Sequence, residues 1–161
     1  MAATRSNGAC TLEFRSRLQA RPAQIWDWIV SADGIRRELR PLLDMSVPPG
    51  VASLADVTVA PGARLFRSRM RLFGLIPIGH SDLTLLELEP GKGFVEQSPM
   101  TGMRLWRHER RILEVPGNGE VFELVDRLGF RPYGPARLVR FFIRRLFVHR
   151  HAVLRAQFNS R

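Results

Sequence analysis

The C-terminal segment restricts the possible folds of this chain more than any other part. From about Pro135 to Phe158 no glycine or proline follows the start, and apolar and cationic residues recur at helical spacing. Leu138, Phe142, Leu146, Val153 and Ala156 share one predicted stripe, and Arg137, Arg140, Arg144, His151 and Arg155 share another. Phe141, Ile143, Phe147 and Val148 widen the apolar side. A helix this broadly apolar must bury itself against something large.

The rest of the chain supplies strands for that purpose. Thr11–Gln19 alternates Leu12, Phe14 and Leu18 with charged and polar residues, the period of a half-buried strand. Pro22 suits the first position of a helix that carries Ile25, Trp28 and Ile29 and ends near Val30. A second short helix is expected from Ile35 and should stop before Pro41. Residues 44–63 contain Pro48-Pro49-Gly50 and Pro61-Gly62, which predicts irregular structure with a short edge strand at Asp56–Val59. Beyond Arg64 come strand patterns over Phe66–Leu72, Ser81–Glu89, Gly93–Ser98, Met103–Val115 and Gly119–Phe130. Short Pro/Gly spacers between them favour an antiparallel meander. This element order is α+β, with a curved sheet folded around the long terminal helix. The 161 residues suit one domain at 11–158, preceded by a flexible N-terminus over 1–10.

Charge and cysteine content narrow the function classes. None of the 15 acidic residues follows Asp126, whereas nine of the 25 basic residues do, so the net charge of +10 sits almost entirely in the C-terminal segment. Such a helix could attract an anionic membrane weakly. Nucleic acid is the poorer match, because the segment lacks aromatic stacking surface for single strands. One cysteine, Cys10, excludes an intrachain disulfide and a thiolate metal cluster. No apolar h-region lies in Met1–Cys10 and no uncharged run spans a bilayer, so a cytoplasmic location is expected. No phosphate loop, dinucleotide fingerprint, zinc spacing or serine elbow appears, and neither a metal nor a cofactor is expected.

The hairpin Leu105–Ile112 against Phe122–Leu128 carries the chemistry. Pairing Val115 with Gly119 across Pro116-Gly117-Asn118 sets Ile112 opposite Phe122, Arg110 opposite Leu124, His108 opposite Asp126 and Trp106 opposite Leu128. That face is apolar except for His108, Arg110 and Asp126, while the other face, with Arg107, Glu109, Arg111 and Arg127, is wet. Three inward ionisable groups either satisfy one another as a polar network or present hydrogen bonds to a bound molecule. His108 oriented by Asp126 could also act as a general base, although no nucleophile or oxyanion hole accompanies it. His149 and His151 are expected at the surface or helix end, and Glu96, Glu109 and Glu123 form no acid/base pair by sequence alone.

Several local patterns are similar to a known superfamily. Ala20-Arg21-Pro22-Ala23-Gln24-Ile25-Trp26, Gly93-Phe94-Val95-Glu96-Gln97, Leu105-Trp106-Arg107-His108, Leu124-Val125-Asp126 and Phe147-Val148-His149-Arg150 together resemble the START-like superfamily, also called SRPBCC or Bet v 1-like. Within it the chain looks like the branch grouped with polyketide cyclases. Arg110 stands where that branch commonly carries a second histidine, and Thr101-Gly102-Met103-Arg104 replaces its Gly-Pro-Phe. The resemblance implies a helix-grip fold with a cavity between sheet and terminal helix. The expected function is binding of a hydrophobic, lipid-, polyketide- or aromatic-like molecule there. Phe66, Met70, Trp106, Phe142 and Leu146 would form the wall, with His108, Arg110 and Asp126 orienting the ligand. The second reading is a cyclase or dehydratase using His108, and the third is anionic membrane or nucleic-acid association through the arginine-rich helix.

Overall fold

The computed structural model describes residues 9–160. The flexible N-terminus expected over 1–10 therefore lies outside the described residues for 1–8. Cys10 already belongs to the first strand.

Strand β1 (Cys10–Leu18) leads into α1 (Pro22–Val30) and α2 (Ala32–Leu39). Pro22 opens α1 without costing a helical hydrogen bond, and the Arg21 N–H donates to Gln24 Oε1 at 3.0 Å. Ser31 separates the two helices and caps α2, its Oγ accepting the Gly34 N–H at 2.9 Å. Six strands follow: β2 (Leu43–Met45), β3 (Arg64–Leu72), β4 (Ile76–Glu89), β5 (Gly93–Gln97), β6 (Met103–Val115) and β7 (Asn118–Pro132). Helix α3 (Ala136–Asn159) ends the fold.

The strands form one seven-stranded antiparallel sheet in the order β1-β7-β6-β5-β4-β3-β2. This is the helix-grip α+β architecture, with two short helices after the first strand. Register shifts interrupt β3–β4 pairing at Arg64/Phe66 and Met70/Arg71, and β4–β5 pairing at Leu85/Glu87. Irregularities of this kind bend a strand and increase its twist, which curls the sheet. Gly93 starts β5 at φ +146°, and a Cβ there would stand 2.0 Å from the Arg110 carbonyl oxygen. Only glycine lets β5 close on β6 at that point.

Helix α3 packs on β1, β7 and α2 rather than along the whole sheet. One core cluster joins Ile25, Ile29, Leu85, Ile112 and Leu124, and a second joins Met70, Trp106, Phe130, Ile143 and Phe147. Strands β2 to β5 lie away from the helix, and the gap is the space that matters for function.

Three local expectations are corrected. The edge strand expected at Asp56–Val59 does not form; residues 54–56 make a single 3-10 turn, and Leu43–Met45 occupies the sheet edge instead. The β6–β7 register is shifted by two: Ile112 faces Leu124, Arg110 faces Asp126, His108 faces Leu128 and Trp106 faces Phe130. A tight turn pairs Val115 with Asn118, after which β7 bulges over residues 119–121 before Glu114 meets Phe122. An even shift leaves every side chain on its original face, so the inward set is unchanged. On α3 the buried stripe is Ile143, Leu146, Phe147, Arg150, His151 and Leu154. Leu138 and Phe141 are exposed, and His151 lies in the core rather than on the polar side.

Candidate functional site

The inward face of β6 delivers Trp106, His108, Arg110 and Ile112 in alternation, all buried. Opposite Arg110, β7 presents Asp126, which is fully buried and accepts four hydrogen bonds. Its Oδ1 takes His108 Nε2–H and Arg110 Nε–H, each at 2.7 Å. Its Oδ2 takes Arg110 Nη2–H at 2.7 Å and His151 Nε2–H at 2.8 Å. His151 in turn accepts the Ser16 hydroxyl proton at Nδ1 over 2.8 Å, so β1 and α3 are tied to the same carboxylate.

A second buried carboxylate completes the charge balance. Glu38 of α2 has no exposed surface, and both of its oxygens accept from Arg110 Nη1 at 3.0–3.1 Å. Arg150 of α3 donates Nε–H to Glu38 Oε2 at 2.8 Å, and Trp28 donates its indole N–H to Oε1 at 3.1 Å. Two guanidinium groups thus face two carboxylates with short, charge-assisted contacts, the condition under which buried charges are tolerated.

This arrangement has consequences for pH. Burial pushes the Asp126 carboxyl up, but the charge of Arg110 and the hydrogen bonds from Arg110 and His108 outweigh it and hold the group well below the usual range. Glu38 is also held low: burial opposes it, and the Arg110 and Arg150 charges prevail. Burial disfavours the charged form of Arg110, yet its two carboxylates raise its pKa overall. For a carboxyl depressed on folding, the stabilisation is complete above the unfolded value of about 4 and is lost as pH falls toward the folded one. The protein should therefore hold its stability down to roughly pH 4 and lose it steeply below. An acid titration followed by circular dichroism checks this, and stability that stays flat from neutrality to pH 3 would contradict it.

In front of the network, between α3 and strands β2 to β6, lies a cavity of about 570 Å³. Its wall is mainly apolar and includes Phe66, Met70, Trp106, Phe142 and Leu146. Ile78 and the exposed Leu138 stand at its mouth. His108 forms part of the wall, whereas Arg110 and Asp126 do not. Arg110 has committed Nε, Nη1 and Nη2 to carboxylates, so it supports the wall from behind instead of meeting a ligand.

Two buried charged wall residues are not expected from sequence, and the exposed Arg36 together with Ser46, Ser68 and Thr101 adds further polar groups to the wall. Glu96 sits beside His108 across the β5–β6 pair, and its Oε1 is 3.7 Å from His108 Nδ1. Its Oε2 accepts from Ser98 Oγ at 2.6 Å. Arg150 is the other, at 8% exposure. The Phe147 ring lies between these poles, edge-on to the His108 ring at 5.2 Å and 4.9 Å from the Arg150 guanidinium carbon. His149 stays outside the network, donating Nε2–H to the Arg40 carbonyl at 2.6 Å. Arg137, Arg140, Arg144 and Arg145 are exposed.

Among the described residues, no group of three or more His, Cys, Asp or Glu is disposed to hold a metal ion. No helix among them is long and apolar enough to cross a membrane.

Comparison with known proteins agrees on the fold. A family model described as Domain of unknown function (DUF8410) matches residues 16–158. No curated protein matches the sequence. The Zhui aromatase/cyclase from Streptomyces sp. R1128 is similar in structure, with a TM-score of 0.68 and 11% identity over 92% of this chain and 93% of its own. Protein CV1439 from Chromobacterium violaceum gives a TM-score of 0.62 and 13% identity over 89% and 96%. Ara h 8.0201 gives 0.56 and 12% over 92% and 99%. Likeness at these identities shows a START-like, Bet v 1-like fold and leaves the chemistry to the site itself.

Proposed function

Because the chain belongs to the family described as Domain of unknown function (DUF8410), which assigns no activity, we propose from the site that it binds an apolar small molecule between sheet and helix. One observation carries this reading: a mainly apolar cavity of about 570 Å³ whose polar wall groups include the buried His108, Glu96 and Arg150. Protein interiors leave few voids larger than a water molecule, so a cavity of this size is a built feature. Its volume and composition match those of small-molecule sites, where apolar wall supplies affinity and a few polar groups fix orientation. The fold it shares with an aromatase/cyclase and with Ara h 8.0201 is compatible with such a role. The exposed arginines of α3 would add only a weak, salt-screened attraction to anionic membrane surfaces.

Native mass spectrometry of gently purified protein should reveal a bound organic molecule that denaturing conditions release. Protein found only at its bare mass, with no melting shift on adding apolar aromatic or acyl compounds, would count against binding.

A second reading rests on His108. Its Nε2 is fixed on Asp126, which leaves Nδ1 on the side of Glu96 and the cavity, an orientation suited to a general base for a cyclisation or dehydration. His108→Ala separates the two. Under binding alone it should weaken affinity by roughly five- to tenfold, the worth of one hydrogen bond. Under catalysis it should abolish turnover of a polyketide-like substrate while binding persists.

A further inference from the structure

Arg110 and Arg150 belong to one buried network but differ in how far their donors are used. A guanidinium carries five N–H donors in a fixed fork. Arg110 bonds Glu38 and Asp126 through Nε, Nη1 and Nη2. Arg150 gives Glu38 its Nε–H alone, at 2.8 Å, and its guanidinium lies over the Phe147 ring, while its two terminal nitrogens have no hydrogen-bond partner among the described residues. Arg150 is also the arginine of the pair that lines the cavity, at 8% exposure. Glu38 cannot supply the missing acceptors, because its oxygens already serve Arg110, Trp28 and the Arg150 Nε.

From this contrast we infer that the ligand is an amphipathic acid: an apolar body ending in an anionic group that pairs with the terminal nitrogens of Arg150. The inference rests on the cavity reading above and names the class of molecule. An anion with two adjacent oxygens, such as a carboxylate or a sulfonate, matches the free edge of the fork and makes charge-assisted hydrogen bonds in a poorly hydrated site. The opposite pole fixes direction. Glu96 repels an anion and, with His108, favours a hydroxyl or other donor on the ligand. Phe147 separates the two poles, so an apolar body lying over its ring would carry its acid toward Arg150.

Two fluorescent probes of one skeleton test this: anilinonaphthalene sulfonate and phenylnaphthylamine, which lacks the sulfonate. The wild-type protein should bind the sulfonate at least about tenfold more tightly, as expected for a buried charge-assisted contact. Arg150→Gln should bring the two affinities within about threefold while phenylnaphthylamine binding changes little, and Arg150→Lys should restore part of the preference. Leu83→Trp, which projects bulk into the cavity, should remove both probes. The inference is overturned if wild type binds both probes equally, or if folded Arg150→Gln keeps the full sulfonate preference. Should Arg150→Gln not fold, a sulfonate preference that survives Leu83→Trp places the anion on the outer arginines and equally overturns it. Failure of both probes to bind refutes the cavity reading as well. Binding of phenylnaphthylamine with no gain from the sulfonate refutes the Arg150 assignment alone.

Discussion

Replacing Asp126 with alanine should lower stability by about 3–5 kcal/mol, the cost typical of breaking a buried ion pair from one side. A domain's whole stability is about 5–15 kcal/mol, so Asp126→Ala is expected to be partly unfolded at moderate temperature. The cost comes from what remains. Arg110 stays fully buried with Glu38 as its one carboxylate, and His108 and His151 each lose the acceptor for Nε2–H. Urea unfolding followed by circular dichroism gives the number, and a loss below about 1 kcal/mol would show that the network is not needed for folding. The double variant Asp126→Ala with Arg110→Met should recover part of the loss, because it removes the stranded charge along with its partner.

The same network shows what the sequence made legible. Alternation in β6 and β7 identifies the inward face, and that face holds His108, Arg110 and Asp126 together as expected. Register is not legible there, because a shift of two residues is silent in a period-two pattern. The bulge over residues 119–121 leaves no mark on the alternation. The phase of α3 was ambiguous for a related reason: residues 138–148 are apolar on several sides, so a stripe through Leu138 fits as well as one through Ile143. Following the stripe from Ile143 in steps of three and four reaches Arg150 and His151, which is the signal that could have found them. Glu38 had a fainter one, a lone carboxylate between Ile35 and Leu39 on the apolar side of a short helix.

The size of the cavity is not legible in the sequence, for a different reason. Its volume depends on how far β2 to β5 lie from α3, and the bulges in β3 and β4 and the seating of α3 on β1 and β7 set that distance together. No single element encodes it. Phe66, Met70, Trp106, Phe142 and Leu146 are expected as apolar wall from the sequence, and all five line the cavity. Arg110 and Asp126 read as ligand contacts and stand behind that wall. The structure thus divides labour between a saturated layer that holds α2, α3, β1, β6 and β7 together and a wall layer that is free to meet a guest.

That division yields an outcome opposite to that of Asp126→Ala. Leu83 of β4 pairs with Phe66 of β3, lines the cavity and is only half-buried. Tryptophan at position 83 can therefore extend into the cavity instead of into packed neighbours, and it adds apolar contact where there was space. Leu83→Trp should leave stability within about 1 kcal/mol of wild type, since overpacking penalties of roughly 1–3 kcal/mol arise in filled cores. Ligand affinity should fall at least about a hundredfold, because the bulk occupies volume that the guest requires. The melting shift that a saturating ligand gives is the readout. At a hundred times Kd a ligand adds about 2.7 kcal/mol, or roughly 5–10 °C for a chain of this size, and the variant should show almost none of it. If the shift survives in folded Leu83→Trp, the ligand sits elsewhere. If the variant unfolds as Asp126→Ala does, the space beside Leu83 is core rather than cavity.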